Sequence, residues 1–202
     1  MKTKLLLSAL ACLASTALFA ADSPPVGSAA PDFSVSDSKG KAQSVSQYKG
    51  KYVVLEWFNP ECPFVKKHYG GGNMQKLQEE FTSKGVVWLS IDSAAPGKEG
   101  NLTPEQAEKK MTDWKTHSTA LLLDPEGNAG KTYGAKNTPH MFVINPEGKI
   151  IYEGAIDSKA TPNPADIPQS TNYIKAALDE ALAGKAVTTP STRPYGCSVK
   201  YK

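Results

Sequence analysis

The chain has 202 residues, with 23 lysines and arginines against 20 aspartates and glutamates and a formal net charge of +3. That near balance offers no electrostatic footprint for nucleic acid and no polybasic patch for a membrane surface. The length suits one domain with a sizeable core, and three cysteines are too few for a disulfide scaffold.

Residues 1–20 read as a secretory signal peptide: Lys2 and Lys4, an uncharged apolar run from Leu5 to Phe19, then the small residues Ala20 and Ala21. The run is short for a bilayer span, so cleavage after Ala20 is expected, with no stable membrane insertion afterwards. A retained anchor and a lipoprotein attached through Cys12 are the competing readings. Export places the remaining chain in the periplasm or outside the cell, where disulfides form and persist. Residues 21–187 are then expected to form one domain and residues 188–202 a C-terminal tail. The mature chain keeps two cysteines, Cys62 and Cys197.

Strand-length apolar runs alternate with amphipathic helical stretches, which predicts an α/β domain with a mixed sheet flanked by helices. Residues 33–36 alternate like a short strand before the Lys39-Gly40 turn, and form an N-terminal hairpin. Residues 52–58 (YVVLEWF) are apolar on both faces except for Glu56, as in a central strand covered on both sides. A helix is predicted from Cys62 or Pro63, interrupted at Gly70-Gly71-Gly72 and resumed after Asn73. Residues 86–91 (VVWLSI) are a second core strand. Thr103-Pro104-Glu105-Gln106 combines a capping threonine, a proline at the first helical position and a glutamine at the third, so a helix should run to about residue 116. Residues 121–123 and 141–144 are further strands. Asn145-Pro146-Glu147-Gly148 is a turn, and residues 149–152 return as the second arm of a hairpin. Residues 161–168 read as loop, residues 173–183 as the last helix, and the tail as irregular.

Cys62 follows a core strand and opens a helix, where the N–H groups and the helix dipole stabilise a thiolate. An inert buried cysteine is the bland alternative. The segment Trp57-Phe58-Asn59-Pro60-Glu61-Cys62-Pro63-Phe64-Val65 resembles the active-site segment of the thioredoxin superfamily. Asn137-Thr138-Pro139-His140-Met141-Phe142 and Gly148-Lys149-Ile150-Ile151-Tyr152-Glu153-Gly154 resemble its second half, in the same order. The branch most similar is that of the alkyl hydroperoxide reductase and thiol-specific antioxidant proteins. Within it, the single active-site-loop cysteine and the tail Pro194-Tyr195-Gly196-Cys197 resemble bacterial peroxiredoxin-like proteins. The resemblance implies a thioredoxin-like fold and thiol–disulfide exchange.

Two departures qualify that implication. Val65 stands where a dithiol protein has its second cysteine, and the spacing P-x-x-x-[T/S]-x-x-C of the ordinary peroxidase is absent around Cys62. The resemblance implies that Thr138-Pro139 is the threonine–cis-proline element facing the nucleophile, and that Glu56 is a buried acid moving protons. The alternatives are a trans proline opening a strand and a glutamate paired with a lysine. Cys197 is expected either to resolve an intermediate on Cys62 or to form a permanent staple with it, and Gly196 would allow close approach. The implied partners are a thiol- or disulfide-bearing protein or small thiol, and an external thioredoxin-like electron donor. No cofactor is required. A copper carrier using Cys62, Cys197 and His140 is one alternative, since soft sulfur favours Cu(I). His140 follows Pro139 and is expected near Cys62, while His68 and His117 are expected on the surface. A redox-silent binding module with a structural disulfide is the other alternative.

Overall fold

Aliphatic and β-branched runs build the middle of a five-stranded sheet in this computed structural model, which describes residues 22–202. The expected signal peptide lies outside the described residues. In chain order the elements are β1 (Val35–Ser36), β2 (Ala42–Gln43), β3 (Val53–Trp57), α1 (Pro63–Gly70), α2 (Asn73–Thr82), β4 (Val87–Asp92), α3 (Pro104–Asp113), β5 (Ala120–Leu123), α4 (Asn128–Thr132), β6 (Asn137–Thr138), β7 (His140–Ile144), β8 (Ile150–Gly154), α5 (Tyr173–Leu182) and β9 (Cys197–Ser198). The sheet order is β5-β4-β3-β7-β8. β3, β4 and β5 run parallel, while β7 and β8 run antiparallel to their neighbours.

Strand periodicity divides the core into two layers. Val54, Trp88, Leu121, Met141 and Val143 face α1, α2 and α5, in the layer that also holds Phe58, Cys62, Val65 and Tyr69. Val53, Leu55, Trp57, Leu89, Ile91 and Phe142 face the opposite side, where Ala129 of α4 and Tyr133 pack. Because β3 is buried on both faces, its register with β4 and β7 is set by apolar side chains in both layers. Among the described residues no helix is long and apolar enough to cross a membrane.

Local chemistry accounts for several element ends. The Thr103–Gln106 capping box starts α3, with the Gln106 N–H donating to Thr103 Oγ1 and the Thr103 N–H donating to Gln106 Oε1. Asn172 caps α5 by accepting the Lys175 N–H at 2.9 Å. Gly72, with φ 70°, ends the first helical stretch and opens α2. α3 stops at Asp113, short of the predicted residue 116, because Trp114 closes it and Lys115 takes φ 50°. A 3-10 turn at Pro164–Gln169 occupies much of the predicted 161–168 loop. The tail is not irregular throughout, since Cys197–Ser198 pairs with Asn137–Thr138 as a short antiparallel ladder.

Candidate functional site

Chain geometry at the carboxyl end of β3 places Cys62. Phe58 continues the strand pairing by donating its N–H to Ile91 O at 2.9 Å. Asn59 then shapes the turn: its Oδ1 accepts the Glu61 N–H at 2.8 Å, its main-chain carbonyl accepts the Cys62 N–H at 3.2 Å, and its Nδ2 donates to Glu99 O at 3.1 Å. Pro63 is tolerated at the first position of α1 because an amide there has no intrahelical acceptor. Cys62 is thus the N-cap residue of α1, and it has no exposed surface.

The Thr138–Pro139 peptide bond is cis, and the Cys62 thiol donates to the Thr138 carbonyl at 3.0 Å. Across the β6–β9 ladder Thr138 stands directly opposite Cys197. Two of the site residues singled out in the sequence therefore converge on the main chain of a third. Both cysteines are free thiols. Burial alone would push the Cys62 thiol up. Polar contacts with the Cys197 side chain, Thr138 and the main chain of Cys197 and Val65 outweigh it and hold Cys62 below the ordinary cysteine value. Cys197 moves the other way, raised first by burial and then by the hydrogen bond and charge of Cys62. Of the two thiols, Cys62 is therefore the more readily ionised.

Glu56 lies in β3 on the face shared with Cys62, and among the described residues no lysine pairs with it. Its Oε1 accepts from Tyr69 Oη at 2.8 Å, and its Oε2 from Trp88 Nε1 at 2.8 Å, Ser90 Oγ at 3.0 Å and Gln78 Nε2 at 3.4 Å. Burial dominates these contacts and raises its pKa. The lysine-paired reading is thereby replaced by a fully buried acid held by four neutral donors.

Two of the three histidines, His140 and His68, depart from expectation. His140 follows the cis proline, but strand alternation turns it away from Met141 and the Cys62 layer. Its ring lies 4.7 Å from that of Phe142, its Nε2 is 3.4 Å from Glu153 Oε2, and its buried Nδ1 has no partner. Among the described residues no group of three His, Cys, Asp or Glu side chains is gathered to hold a metal ion. His117 is exposed, but His68 is fully buried.

His68 belongs to a polar cluster with no short-range sequence signature. Lys67 Nζ pairs with Asp157 Oδ2 at 2.9 Å and donates to Lys159 O at 2.7 Å, with both charged side chains buried. His68 Nε2 lies 3.3 Å from Tyr195 Oη, and Tyr195 Oη donates to Asp157. Burial, only partly offset by Asp157, lowers His68 to about 4, so it stays neutral. Asp92 is a second such residue: it accepts the Ala94 and Leu102 N–H groups at 2.9 and 3.1 Å and so shapes the loop that brings Glu99 to Asn59.

The sequence model of the AhpC/TSA family matches residues 26–153. The thiol-disulfide oxidoreductase ResA of Bacillus subtilis (strain 168) is 29% identical over 147 residues, covering 72% of this chain and 76% of that protein. ResA of Bacillus thuringiensis subsp. konkukian is 28% identical over 128 residues, covering 63% and 68%. An uncharacterized conserved protein from Geobacillus kaustophilus superposes with a TM-score of 0.78 at 26% identity, over 88% of this chain and 93% of that one. The thioredoxin domain of a thiol-disulfide oxidoreductase from Bacteroides vulgatus shares the fold, with a TM-score of 0.53 at 22% identity over 73% and 98%.

Proposed function

The chain belongs to the AhpC/TSA family, and from that premise we propose that it is a thiol–disulfide oxidoreductase in which Cys62 attacks and Cys197 resolves. The observation that carries this reading is the placement of Cys197 opposite Thr138, the residue whose carbonyl holds the Cys62 thiol. The position 65 that would hold a neighbouring second cysteine is valine, and Cys197 supplies the missing sulfur from the tail.

The reaction balances with two thiols on this chain and one disulfide on its partner. The Cys62 thiolate attacks one sulfur of the partner disulfide, forming a mixed disulfide and releasing one partner thiolate, which takes up a proton. Cys197 then loses its proton and attacks the Cys62 sulfur, releasing the second partner thiol and leaving a Cys62–Cys197 disulfide. Part of what raises Cys197 is the negative charge of Cys62. That charge disappears in the mixed disulfide, so ionisation of Cys197 becomes easier at the step that needs it. An external thioredoxin-like donor closes the cycle by reducing the pair.

Glu56 is assigned the proton reservoir of this cycle, on the support of its burial, its raised pKa and its place in the Cys62 core layer. Thr138-Pro139 is assigned the positioning of the partner backbone. The charge and apolar order of residues 1–20 support action in the cell envelope or outside the cell, with thiol- or disulfide-bearing proteins as partners. The similarity to the ResA proteins, whose name states this activity, supports the same reading.

The deciding measurement is the reduction potential of the Cys62–Cys197 pair, obtained by equilibration in graded thiol buffers, alkylation and intact mass. A value between about −120 and −270 mV is expected for an exchange catalyst. A value below about −300 mV marks a structural staple and refutes the reading.

A further inference from the structure

Cys62 has no exposed surface, and the segment lying over its approach is the chain's own tail. Asn137 Nδ2 donates to Gly196 O at 3.0 Å, and the Val199 N–H donates to Lys136 O at 3.1 Å. The ladder between these contacts pairs Thr138 with Cys197 and Asn137 with Ser198. The approach is close: a Cβ on Gly196, whose φ is +127°, would sit 2.1 Å from the Thr138 carbonyl oxygen. Upstream, the Tyr195 hydroxyl donates to Asp157 and lies 3.3 Å from His68 Nε2, while its ring stands edge-on to Phe64 at 5.8 Å. Downstream, the Lys200 carbonyl accepts the Ala95 N–H at 2.8 Å, and Tyr201 Oη donates to Ala135 O at 2.8 Å.

The tail is therefore seated as an extended peptide against the main-chain edge of Asn137–Thr138 beside Cys62, with an aromatic anchor two residues before its cysteine. We propose that residues 195–199 occupy the protein's own peptide-binding site, and that a partner enters by displacing them and pairing an extended cysteine-bearing segment antiparallel to Asn137–Thr138. This rests on the exchange reading above and adds to it a gate, the chain's own tail, and an aromatic preference. Main-chain pairing supplies affinity in such strand addition, and side-chain pockets supply selectivity. The Tyr195 pocket, walled by Phe64, Lys67, His68 and Asp157, selects an aromatic residue two positions before the partner cysteine. Only two residue pairs form the ladder, so its release is a local opening and the fold persists. Attack on a partner then scales with the fraction of molecules whose tail is open. Resolution follows when the tail returns and brings the Cys197 thiol back to the Cys62 sulfur, with atoms and protons accounted for as in the exchange above.

The test uses the full chain in a Cys197→Ser background, where a mixed disulfide on Cys62 persists. Two probes are compared: 5,5′-dithiobis(2-nitrobenzoate), and an extended peptide copying residues 194–200 whose cysteine carries the thionitrobenzoate group. The released chromophore gives the rate. Adding Gly196→Val, or separately Tyr195→Ala, is expected to accelerate the peptide reaction about tenfold or more, as the closed tail is crowded at Gly196 or loses its half-buried anchor. Tyr195→Phe, which keeps the ring and removes only the hydroxyl, gives a smaller acceleration in the same direction. In the Gly196→Val background, excess unreactive peptide with serine for cysteine slows the reaction of Cys62, and a scrambled peptide does not. Equal rates in all tail variants, with Cys62 still reactive, overturn the gate and leave the exchange reading standing. Acceleration with the small probe alone, without protection by the peptide, overturns the peptide site. A Cys62 that reacts with neither probe in any variant overturns both readings.

Discussion

Glu56 offers the sharpest division between a charge and a scaffold. Replacing it with alanine strips the acceptor from Trp88 Nε1, Tyr69 Oη, Ser90 Oγ and Gln78 Nε2, all buried, and opens a cavity against β4. Each orphaned buried donor costs roughly 1–3 kcal/mol before relaxation. Because Gln78 Nε2 also donates to Tyr69 Oη at 3.1 Å, Gln78 keeps a partner and loses less than Tyr69, Trp88 and Ser90. A net loss of about 4 kcal/mol is expected, a large share of the 5–15 kcal/mol typical of a domain. Glutamine behaves differently. With its oxygen where Oε2 stands it still accepts from Trp88, Ser90 and Gln78, and its amide donates to Tyr69 Oη, so its cost at acid pH is within about 1 kcal/mol. The pH dependence then isolates the carboxyl. Its folded pKa is raised, so the folded state holds a proton that the unfolded state has released. The stability this contributes is fully present below the unfolded value near 4.5 and is lost as pH rises through the folded value. Glu56→Gln lacks that loss and should gain on the wild type between pH 5 and pH 8 in urea melts. A glutamine variant as damaged as the alanine variant, or a wild-type-to-glutamine difference that ignores pH, refutes the description of Glu56 as a desolvated acid held by neutral donors.

The polar cluster beneath the tail gives two further expectations. Lys67→Met removes the cation from a buried pair and leaves Asp157 with only neutral donors, so urea unfolding should show a loss of about 3–5 kcal/mol, with hydrogen exchange rising first in the residues paired to the tail. His68 titrates near 4 when folded against 6.5 when unfolded, so the unfolded state binds the extra proton between those values. Stability should therefore fall as pH drops from 6.5 to 4, by at most about 3 kcal/mol, and His68→Gln should remove that part of the slope.

What was legible in the sequence is what depends on near neighbours and periodicity. The strand with a lone glutamate, the cysteine before Pro63, the glycine break before α2 and the capping box at Thr103 each carry their cause within a few residues. The family resemblance extended this to Thr138-Pro139, and Gly196 was legible as a place of close approach. The burial of His68 was not. Its helical position six residues after Cys62 gives an angle around α1, but not what covers that angle, and here the cover is Tyr195 and Asp157 from the far end of the chain. The Lys67–Asp157 pair, 90 residues apart, is invisible for the same reason: lysine on a helix ordinarily points to water, and only the returning loop and tail make burial of this one tolerable. His140 was misplaced by a different cause. Proximity to Pro139 in sequence suggested proximity to Cys62, but alternation along β7 puts adjacent residues on opposite layers, so Met141 shares the Cys62 side and His140 does not. The His68 and Lys67 departures share one physical origin. The tail is a long-range element whose contacts are made one residue at a time by hydroxyls, carbonyls and a single glycine, with no apolar period to announce it. The same property suits it to gate Cys62, since a strand of two residue pairs held by separable anchors can be lifted without unpacking either core layer.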